Sequence, residues 1–270
     1  MNRKEGERMN DLTHLSLFSG IGGLDLAAEW AGFRTVCQCE WADYPRTVLE
    51  KHWPGLPRWR DIRTLTGDDF FAKTGIRTVT VLSGGFPCQP FSTAGKRRGK
   101  DDDRYLWPEM LRVIQEIRPA WVVGENVAGL VSMALDTVLS DLESIGYTCQ
   151  ALVIPACAVD APHRRDRVAI VANDSRIGFK RMRKVREQVR KSRIEEKVPD
   201  WNSDITIPDR VWWNPEPDVG RVVHGIPARV DRLKCLGNAV VPQQFYPIFR
   251  AIADLEVSQW ENTQSVGCGL

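Results

Sequence analysis

The first 172 residues alternate between short runs of aliphatic and β-branched residues and longer segments with helical periodicity. Such alternation predicts βαβ units, in which helices connect the parallel strands of one sheet. The predicted strands are residues 13–19, 34–40, 77–83, 120–125, 148–154 and 167–172. The predicted helices are residues 24–32, 103–117 and 134–146. The pattern therefore indicates an α/β fold with a doubly wound, mostly parallel sheet.

The periodicity fades in residues 173–228, which are dominated by charge, proline and tryptophan. This stretch predicts a small second domain. Helical patterning returns in residues 229–258, which we expect to rejoin the large domain formed by residues 11–172. Residues 1–10 and 259–270 are expected to be flexible tails.

The composition is that of a globular, cytoplasmic protein, since 270 residues at 43% hydrophobic can bury one large core. No run of about 18 apolar residues occurs, and no apolar segment follows the charged start, so we expect neither a membrane span nor export. Seven cysteines include one close pair, Cys37 and Cys39, whose spacing is not that of a metal site. We therefore expect reduced thiols, no bound metal and no membrane partner.

The net charge of +2 conceals an uneven distribution. Residues 176–197 contain ten Lys or Arg against three Glu, and three tryptophans follow: Trp201, Trp212 and Trp213. Such a basic run is often only a solvated helix face. Basic and aromatic side chains together also suit nucleic acid, because they contact phosphates and stack on bases. The candidate DNA contacts in this run are Arg181, Arg183 and Lys184.

A glycine-rich turn joins the first predicted strand to the first predicted helix in LFSGIGGLDLAAEWAGF, residues 17–33. The N–H groups at such a helix start point toward a ligand, and glycine lets the backbone approach it closely. A dinucleotide fingerprint, G-x-G-x-x-G, would need glycine where this chain has Asp25, which weakens an NAD interpretation.

Polar and aromatic residues beyond this turn suit an adenosine group. Glu40 ends the second predicted strand, where its carboxylate can accept hydrogen bonds from a ribose diol, and Trp41 offers a flat face to adenine. Asp61 and Ile62 can supply a polar contact and an apolar wall for the same base. Each of these residues has a plainer explanation as a helix cap or a core side chain. Together they predict an adenosine-bearing cofactor.

The segment GGFPCQPFS, residues 84–92, holds Cys88 between two prolines, which exclude both a helix and a central strand. It follows the predicted strand 77–83, at the edge where open α/β sheets bind ligands. A lone cysteine is more often a small buried hydrophobe than a nucleophile. The neighbours of Cys88 therefore decide between these two interpretations.

Four charged or polar side chains are expected at the same edge. Glu125 and Asn126 end another predicted strand, while Arg165 and Arg167 are two residues apart and are expected to share one face of the last strand. Carboxylates and arginines often form only salt bridges. Their convergence with a thiol predicts a catalytic site.

Seven motifs follow one another along the chain: FSGIGGLDLA, CEWADYP, DIRTL, GGFPCQPFSTAGKRRG, LWPEMLRVIQEIRPAWVVGENVAGL, APHRRDRVAIVA and RLKCLGNAVVP. With these motifs the chain resembles the cytosine-C5 DNA methyltransferases, in particular compact bacterial or phage forms. The resemblance covers residues 13–172 and 229–255. It implies a Rossmann-like methyltransferase sheet with a small target-recognition domain.

The resemblance implies S-adenosylmethionine as the cofactor and S-adenosylhomocysteine as the product. The residues implied to hold the cofactor are Phe18, Gly20, Gly22, Gly23, Glu40, Trp41 and Asp61, with Asn238 and Val240 closing over it from the C-terminal segment.

The resemblance also implies that Cys88 attacks C6 of cytosine, which makes C5 able to take the methyl group. Glu125, protonated or donating a hydrogen bond, would stabilise the charge at N3, which requires a raised pKa. Arg165 is implied to contact the cytosine O2 and to help lower the pKa of the thiol. Asn126 and Arg167 complete the catalytic set.

A base inside a duplex cannot reach this thiol, so the cytosine must be flipped out. Residues 92–104 resemble the loop that closes over the flipped base, and the candidate DNA contacts in it are Ser92, Lys96, Arg97 and Arg98. We expect a monomer acting on double-stranded DNA in the cytoplasm of a bacterium or a phage-infected host.

Two features depart from the family pattern. His163 stands where many relatives have glutamine. Residues 173–228 are short for a recognition domain and lack its usual R-x-L-T-x-R-E and G-F-P landmarks. The target DNA sequence is therefore not predicted.

Three alternative functions remain at this point. An RNA (tRNA) cytosine-C5 methyltransferase would share the motif set, and a catalytically silent DNA-binding homologue would not need the intact Cys88 and Glu125. Asp25 disfavours an NAD-dependent oxidoreductase. The use of the methyl mark stays open among protection in a restriction-modification system, evasion of a host's restriction, and gene regulation.

Overall fold

The structure, a computed structural model, describes residues 12–87, 105–177 and 229–267. Within these ranges seven strands form one sheet: β1 Thr13–Leu17, β2 Arg34–Cys39, β3 Arg58–Trp59, β4 Val81–Gly85, β5 Trp121–Val127, β6 Tyr147–Ile154 and β7 Arg167–Asp174. All six predicted strands are present, although β4 begins at Val81 rather than at residue 77. The strand β3 is additional, because two residues are too few to show an alternating pattern.

The strand order is β3-β2-β1-β4-β5-β7-β6. The pairs among β1 to β5 are parallel, whereas β7 lies antiparallel between β5 and β6. This arrangement confirms the doubly wound, mostly parallel sheet. The order reverses between β1 and β4, and at such a switch point α/β sheets bind ligands at the carboxyl ends of the strands.

Eight α-helices lie in the described ranges: α1 Gly23–Trp30, α2 Asp43–His52, α3 Gly67–Thr74, α4 Trp107–Ile117, α5 Leu130–Met133, α6 Leu135–Ser144, α7 Arg229–Asn238 and α8 Pro242–Gly267. The helix predicted from residue 103 begins at Trp107, with a proline in its first turn, where a missing N–H costs no hydrogen bond. The helix α8 continues beyond its predicted end at residue 258. None of the helices in these ranges combines the length and the apolarity that a membrane span requires.

The helices cover both faces of the sheet. One apolar core lies between the sheet and α1 with α8, where Phe245, Ile248 and Phe249 of α8 are fully buried. The other lies under α3, α4 and α6, with Trp107 and Met110 of α4 at its centre. Burial on both faces of the sheet explains the continuous hydrophobic runs in β5 and β7, at residues 121–123 and 168–172.

A band of buried polar side chains crosses the α1 side of the sheet. His14 contacts Thr35 Oγ1 at 3.0 Å and Ser83 Oγ at 2.7 Å through its two ring nitrogens. Burial lowers the pKa of His14 to about 3, so the ring is neutral in the folded protein. Beside it, Asp25 accepts hydrogen bonds from Ser16 and Gln38, both at 2.8 Å, and burial raises its pKa to about 6. This band connects α1 with β1, β2 and β4, and β1 leads into the glycine-rich turn.

The predicted second domain lies almost wholly outside the described residues. Its expected start at residue 173 falls inside β7, whose last residues, Asn173 and Asp174, are buried. A short turn, Ser175–Ile177, follows. The division of the chain into domains therefore stays a prediction.

Candidate cofactor and catalytic site

The carboxyl ends of β1, β2, β4 and β5 meet at one edge of the sheet, next to the switch point. The turn after β1 contains Phe18 and the three glycines, and Glu40 follows β2. Phe86 follows β4, two residues before Cys88, and Glu125 and Asn126 are among the last three residues of β5. The antiparallel strand β7 starts at this same edge with Arg167. Residues far apart in the chain therefore surround one site.

The glycine turn has an unusual backbone. Phe18, Gly20 and Gly22 all have a positive φ, at 51°, 56° and 90°. For Phe18 this conformation is strained, and such strain concentrates at functional sites. A side chain at Gly22 would collide with the Trp53 ring, since its Cβ would lie 2.5 Å from two ring atoms. Among the described residues, apart from the chain neighbours of Gly20, no atom lies within 4 Å of the Cβ position there, so the turn leaves open space.

Glu40 is held by the main chain on both sides. Its Oε2 accepts from Gly20 N and its Oε1 from Ala42 N, each at 2.8 Å. These bonds orient the carboxylate at the end of β2 and join it to the glycine turn. Each carboxylate oxygen can accept a second hydrogen bond. The carboxylate therefore has the capacity to hold a diol.

The expected adenine residues differ in exposure. Trp41 is 61% exposed, with the Arg60 guanidinium 5.8 Å from the ring centre, so an aromatic face is accessible. Asp61 caps a short turn by accepting from Arg63 N at 3.0 Å. Ile62 is buried in the core, so its expected role as a wall for adenine remains a prediction.

The C-terminal segment reaches the glycine turn. Asn238 ends α7 and is exposed, and Val240 lies between α7 and α8. The carbonyl oxygen of Val240 lies 2.7 Å from the position that a Cβ on Gly23 would take. Only glycine at position 23 allows this approach. The sequence motif implied that Gly23 holds the cofactor, and it gave no indication that Gly23 also packs against Val240.

Cys88 lies just outside the described residues, and so do Ser92, Lys96, Arg97, Arg98, Arg181, Arg183 and Lys184. The approach to the thiol is described as far as residue 87. Asn126 is buried, and its Nδ2 donates to the carbonyl oxygen of Phe86 at 2.9 Å. The Phe86 ring packs on Trp107, with centroids 5.0 Å apart. These contacts hold the main chain two residues before Cys88.

Glu125 forms the electrostatic centre of the site. Its Oε1 pairs with Arg167 Nε at 2.9 Å, and both side chains are only 12% exposed. Burial raises the pKa of Glu125 to about 7, although Arg167 and Arg165 oppose the rise. The neighbouring strand leaves room for this carboxyl because residue 85 is glycine, whose Cβ would lie 2.8 Å from Glu125 Oε2. A carboxyl group of this kind can hold a proton near neutral pH and donate it in a hydrogen bond.

The two arginines do not share a strand face. Arg165 precedes β7 and has a positive φ of 34°, so the alternation expected from the sequence does not relate it to Arg167. Its Nη2 donates to the carbonyl oxygens of Gly237 and Ala239 at 2.7 and 2.6 Å. Arg167 therefore lies against Glu125, whereas Arg165 lies against the C-terminal segment.

Two residues of the site carried no assigned role from the sequence. Gly85 is the second residue of the segment GGFPCQPFS, and its pairing with Gly84 was the one sequence feature that could have indicated a close contact there. Gln244 is fully buried on α8 and donates to the carbonyl oxygens of Ile154 and Arg165. No local pattern distinguishes it from Gln243. Across the described ranges, no group of three or more His, Cys, Asp or Glu side chains could hold a metal ion.

Comparison with solved structures agrees on the fold. A chain described as a DNA modification methyltransferase encoded within an Escherichia coli prophage is similar, with a TM-score of 0.54 and 24% identity, over 62% of this chain and 47% of that one. Spodoptera frugiperda DNMT2 is similar, with a TM-score of 0.51 and 22% identity, over 60% and 50%.

The curated relatives of this chain include Type II methyltransferases from several bacteria. The Type II methyltransferase M.Eco47II of Escherichia coli is 36% identical over 60% of this chain and 40% of its own length. M.PspPI of Psychrobacter is 38% identical over 58% and 38%. M.AquIA of Picosynechococcus is 34% identical over 59% and 71%. The chain thus spans about two fifths of the first two relatives. Residues 12–211 match the family model described as C-5 cytosine-specific DNA methylase, and the chain belongs to this family.

Proposed function

We propose that the protein is a DNA cytosine-C5 methyltransferase that takes a cytosine flipped out of duplex DNA. One observation supports this function most directly: a buried carboxyl group, Glu125, with a pKa of about 7, lies beside Arg167 at the sheet edge that leads to Cys88. Such a group can donate a hydrogen bond to the ring nitrogen N3 of a cytosine. The relatives named as Type II methyltransferases support the same reaction class.

The cofactor that fits the described residues is S-adenosylmethionine. The open space at Gly20 and the unused acceptor capacity of Glu40 suit a ribose diol. The exposed ring of Trp41 suits an adenine. When bound, this cofactor supplies an electrophilic methyl group for cytosine C5.

The chain's own residues then have distinct roles. The Cys88 thiolate forms a bond to C6, and the electron pair of the C5–C6 double bond becomes available at C5. Glu125 donates a hydrogen bond to N3 as charge builds on the ring, and Arg167 keeps this carboxyl oriented. Asn126 holds the main chain at Phe86, two residues before Cys88. After the methyl group has joined C5, the C5 proton leaves to a base and the thiolate departs from C6.

The substrate side of the proposal rests on residues outside the described ranges. The basic residues of segments 92–104 and 176–197 would neutralise phosphates, so we expect DNA affinity to fall steeply as salt rises. The target sequence would be selected by residues 173–228.

The test is transfer of labelled methyl from S-adenosylmethionine to mixed-sequence duplex DNA, followed by bisulfite sequencing. Cys88→Ala is the inactive variant. Cys157→Ala is its matched control, because Cys157 is an exposed cysteine in the short turn Ala156–Val159 and has no assigned role. We expect 5-methylcytosine in a fixed context from the wild type and from Cys157→Ala, and none from Cys88→Ala. A wild type that binds S-adenosylhomocysteine but does not methylate duplex DNA would contradict the proposal, and tRNA would be the next acceptor.

A further inference from the structure

A four-residue segment, Gly237 to Val240, lies between the glycine turn and the expected base site; we call it the linker segment. On one side it receives two hydrogen bonds from Arg165 Nη2, at Gly237 O and Ala239 O. On the other side, Val240 O lies where a Cβ on Gly23 would collide with it. The linker segment therefore touches a residue of each expected ligand site.

The main chain of Arg165 is held in turn from α8. Gln244 Nε2 donates to Ile154 O at 2.7 Å and to Arg165 O at 3.1 Å. Ile154 ends β6 and Arg165 precedes β7, so this amide joins the two ends of the loop between them, beside the main-chain hydrogen bond from Ala156 N to Arg164 O. The positive φ of Arg165 is a strained conformation for a residue other than glycine, and it persists only where the surroundings hold it.

Hydrogen bonds connect Arg165 and the C-terminal segment in both directions: one is donated to Arg165 and two are donated by it. Gln244, two residues after the start of α8, holds the backbone of Arg165. The side chain of Arg165 holds the backbone of the linker segment, which one residue separates from α8. Since Gln244 is fully buried, its amide has no water to replace these carbonyl partners. Displacement of either residue would therefore move the other's contacts.

We propose that Gln244, Arg165 and the linker segment form a clasp that couples the cofactor site to the target-base site. In this clasp Gln244 is a positioning residue that acts through Arg165. Ordering of the linker segment by the cofactor would fix the Arg165 guanidinium, which interacts electrostatically with Glu125. The identity of the two ligands rests on the proposed function, whereas the clasp itself rests on the contacts above.

The first test is calorimetric titration of S-adenosylhomocysteine into the full chain without DNA. A residue that only contacted the target base would not change this affinity. The clasp predicts that Arg165→Ala weakens it by about tenfold, because two charge-assisted hydrogen bonds to the linker segment are lost. Arg164→Ala is the matched control, since this neighbouring arginine is 82% exposed and pairs with Asp166. Equal affinities for the two variants would overturn the clasp.

The second test is a double-mutant cycle on the same affinity. Gln244→Met removes the donor at similar size, and Gln243→Met is the control on the adjacent, half-buried glutamine. If Gln244 acts through Arg165, the double variant binds no more weakly than Arg165→Ala alone. Losses that simply add would show a merely structural role and overturn the assignment of Gln244. Should Gln244→Met not fold, the comparison of Arg165→Ala with Arg164→Ala still tests whether Arg165 and the linker segment affect cofactor affinity.

The outcomes separate this inference from the proposed function. A wild type that binds S-adenosylhomocysteine but methylates neither DNA nor tRNA would refute the function and leave the calorimetric test of the clasp intact. A wild type with no affinity for S-adenosylhomocysteine would refute both.

Discussion

Replacement of the buried carboxyl at the centre of the site gives the sharpest prediction. Glu125→Gln keeps the size of the side chain and substitutes an amide, which does not titrate and can still accept from Arg167. In the wild type, burial raises the pKa of Glu125 from 4.5 to about 7, against the opposing charge of Arg167 2.9 Å away. The variant should therefore lack the dependence of folding stability on pH that arises from the titration of Glu125.

The sign follows from proton binding. Between pH 4.5 and about 7 the folded state binds more protons at Glu125 than the unfolded state does, so stability falls as pH rises. The contribution is fully present below pH 4.5 and is lost as pH passes through about 7. At about 1.4 kcal/mol for each pKa unit, the complete loss is about 3 kcal/mol.

The assay is urea unfolding of the wild type and of Glu125→Gln at several pH values from 4.5 to 8.5. Replacing the carboxylate that pairs with Arg167 shifts the stability of the variant by the same amount at every pH. The informative quantity is therefore how the difference in unfolding free energy between wild type and variant changes with pH. This difference should change by about 3 kcal/mol across the window, in the variant's favour at high pH. Glu109→Gln, which removes a partly exposed carboxylate of α4 and retains Glu125, should keep the wild-type trend. Parallel curves for the wild type and Glu125→Gln would refute the reasoning.

The remaining predictions concern the buried histidine and two crowded glycines. Because the pKa of His14 is about 3 in the folded and 6.5 in the unfolded state, its contribution to folding stability is present above pH 6.5 and is lost as pH falls. The wild type should therefore lose about 2 kcal/mol of unfolding free energy between pH 6.5 and 5 that His14→Gln does not lose, as measured by urea unfolding. Gly23→Ala places a Cβ 2.7 Å from Val240 O and should weaken S-adenosylhomocysteine binding about tenfold by calorimetry. Gly85→Ala places a Cβ 2.8 Å from Glu125 Oε2 and should lower methyl transfer about tenfold while leaving that binding unchanged. Reversed phenotypes for the two glycine variants would contradict the placement of the two ligand sites.

The parts of the fold that depend on short-range backbone preferences were predictable. The turn at Gly20 and Gly22 could be inferred because positive φ angles require residues of this kind, and the helix behind it buries Leu24, Ala27 and Ala28 at helical spacing. The strands β5 and β7 could be inferred because burial on both faces of the sheet requires continuous apolar runs. By contrast, the two residues of β3 are held by tertiary contacts: pairing with β2, burial of Trp59 in the core, and Arg58, whose Nε donates to Gln38 Oε1 at 2.8 Å.

The sequence by itself determined that Glu40, Glu125 and Asn126 lie at one edge of the sheet, because the carboxyl ends of parallel strands meet there. Only the tertiary structure decided which arginine contacts Glu125 and which contacts the C-terminal segment. Spacing by two placed Arg165 and Arg167 on one face, but the strand starts at Arg167, and only Arg167 pairs with Glu125. Arg165 instead reaches carbonyl groups more than 70 positions away. Such contacts depend on where α8 packs against the sheet, and local patterns contain no information about that packing.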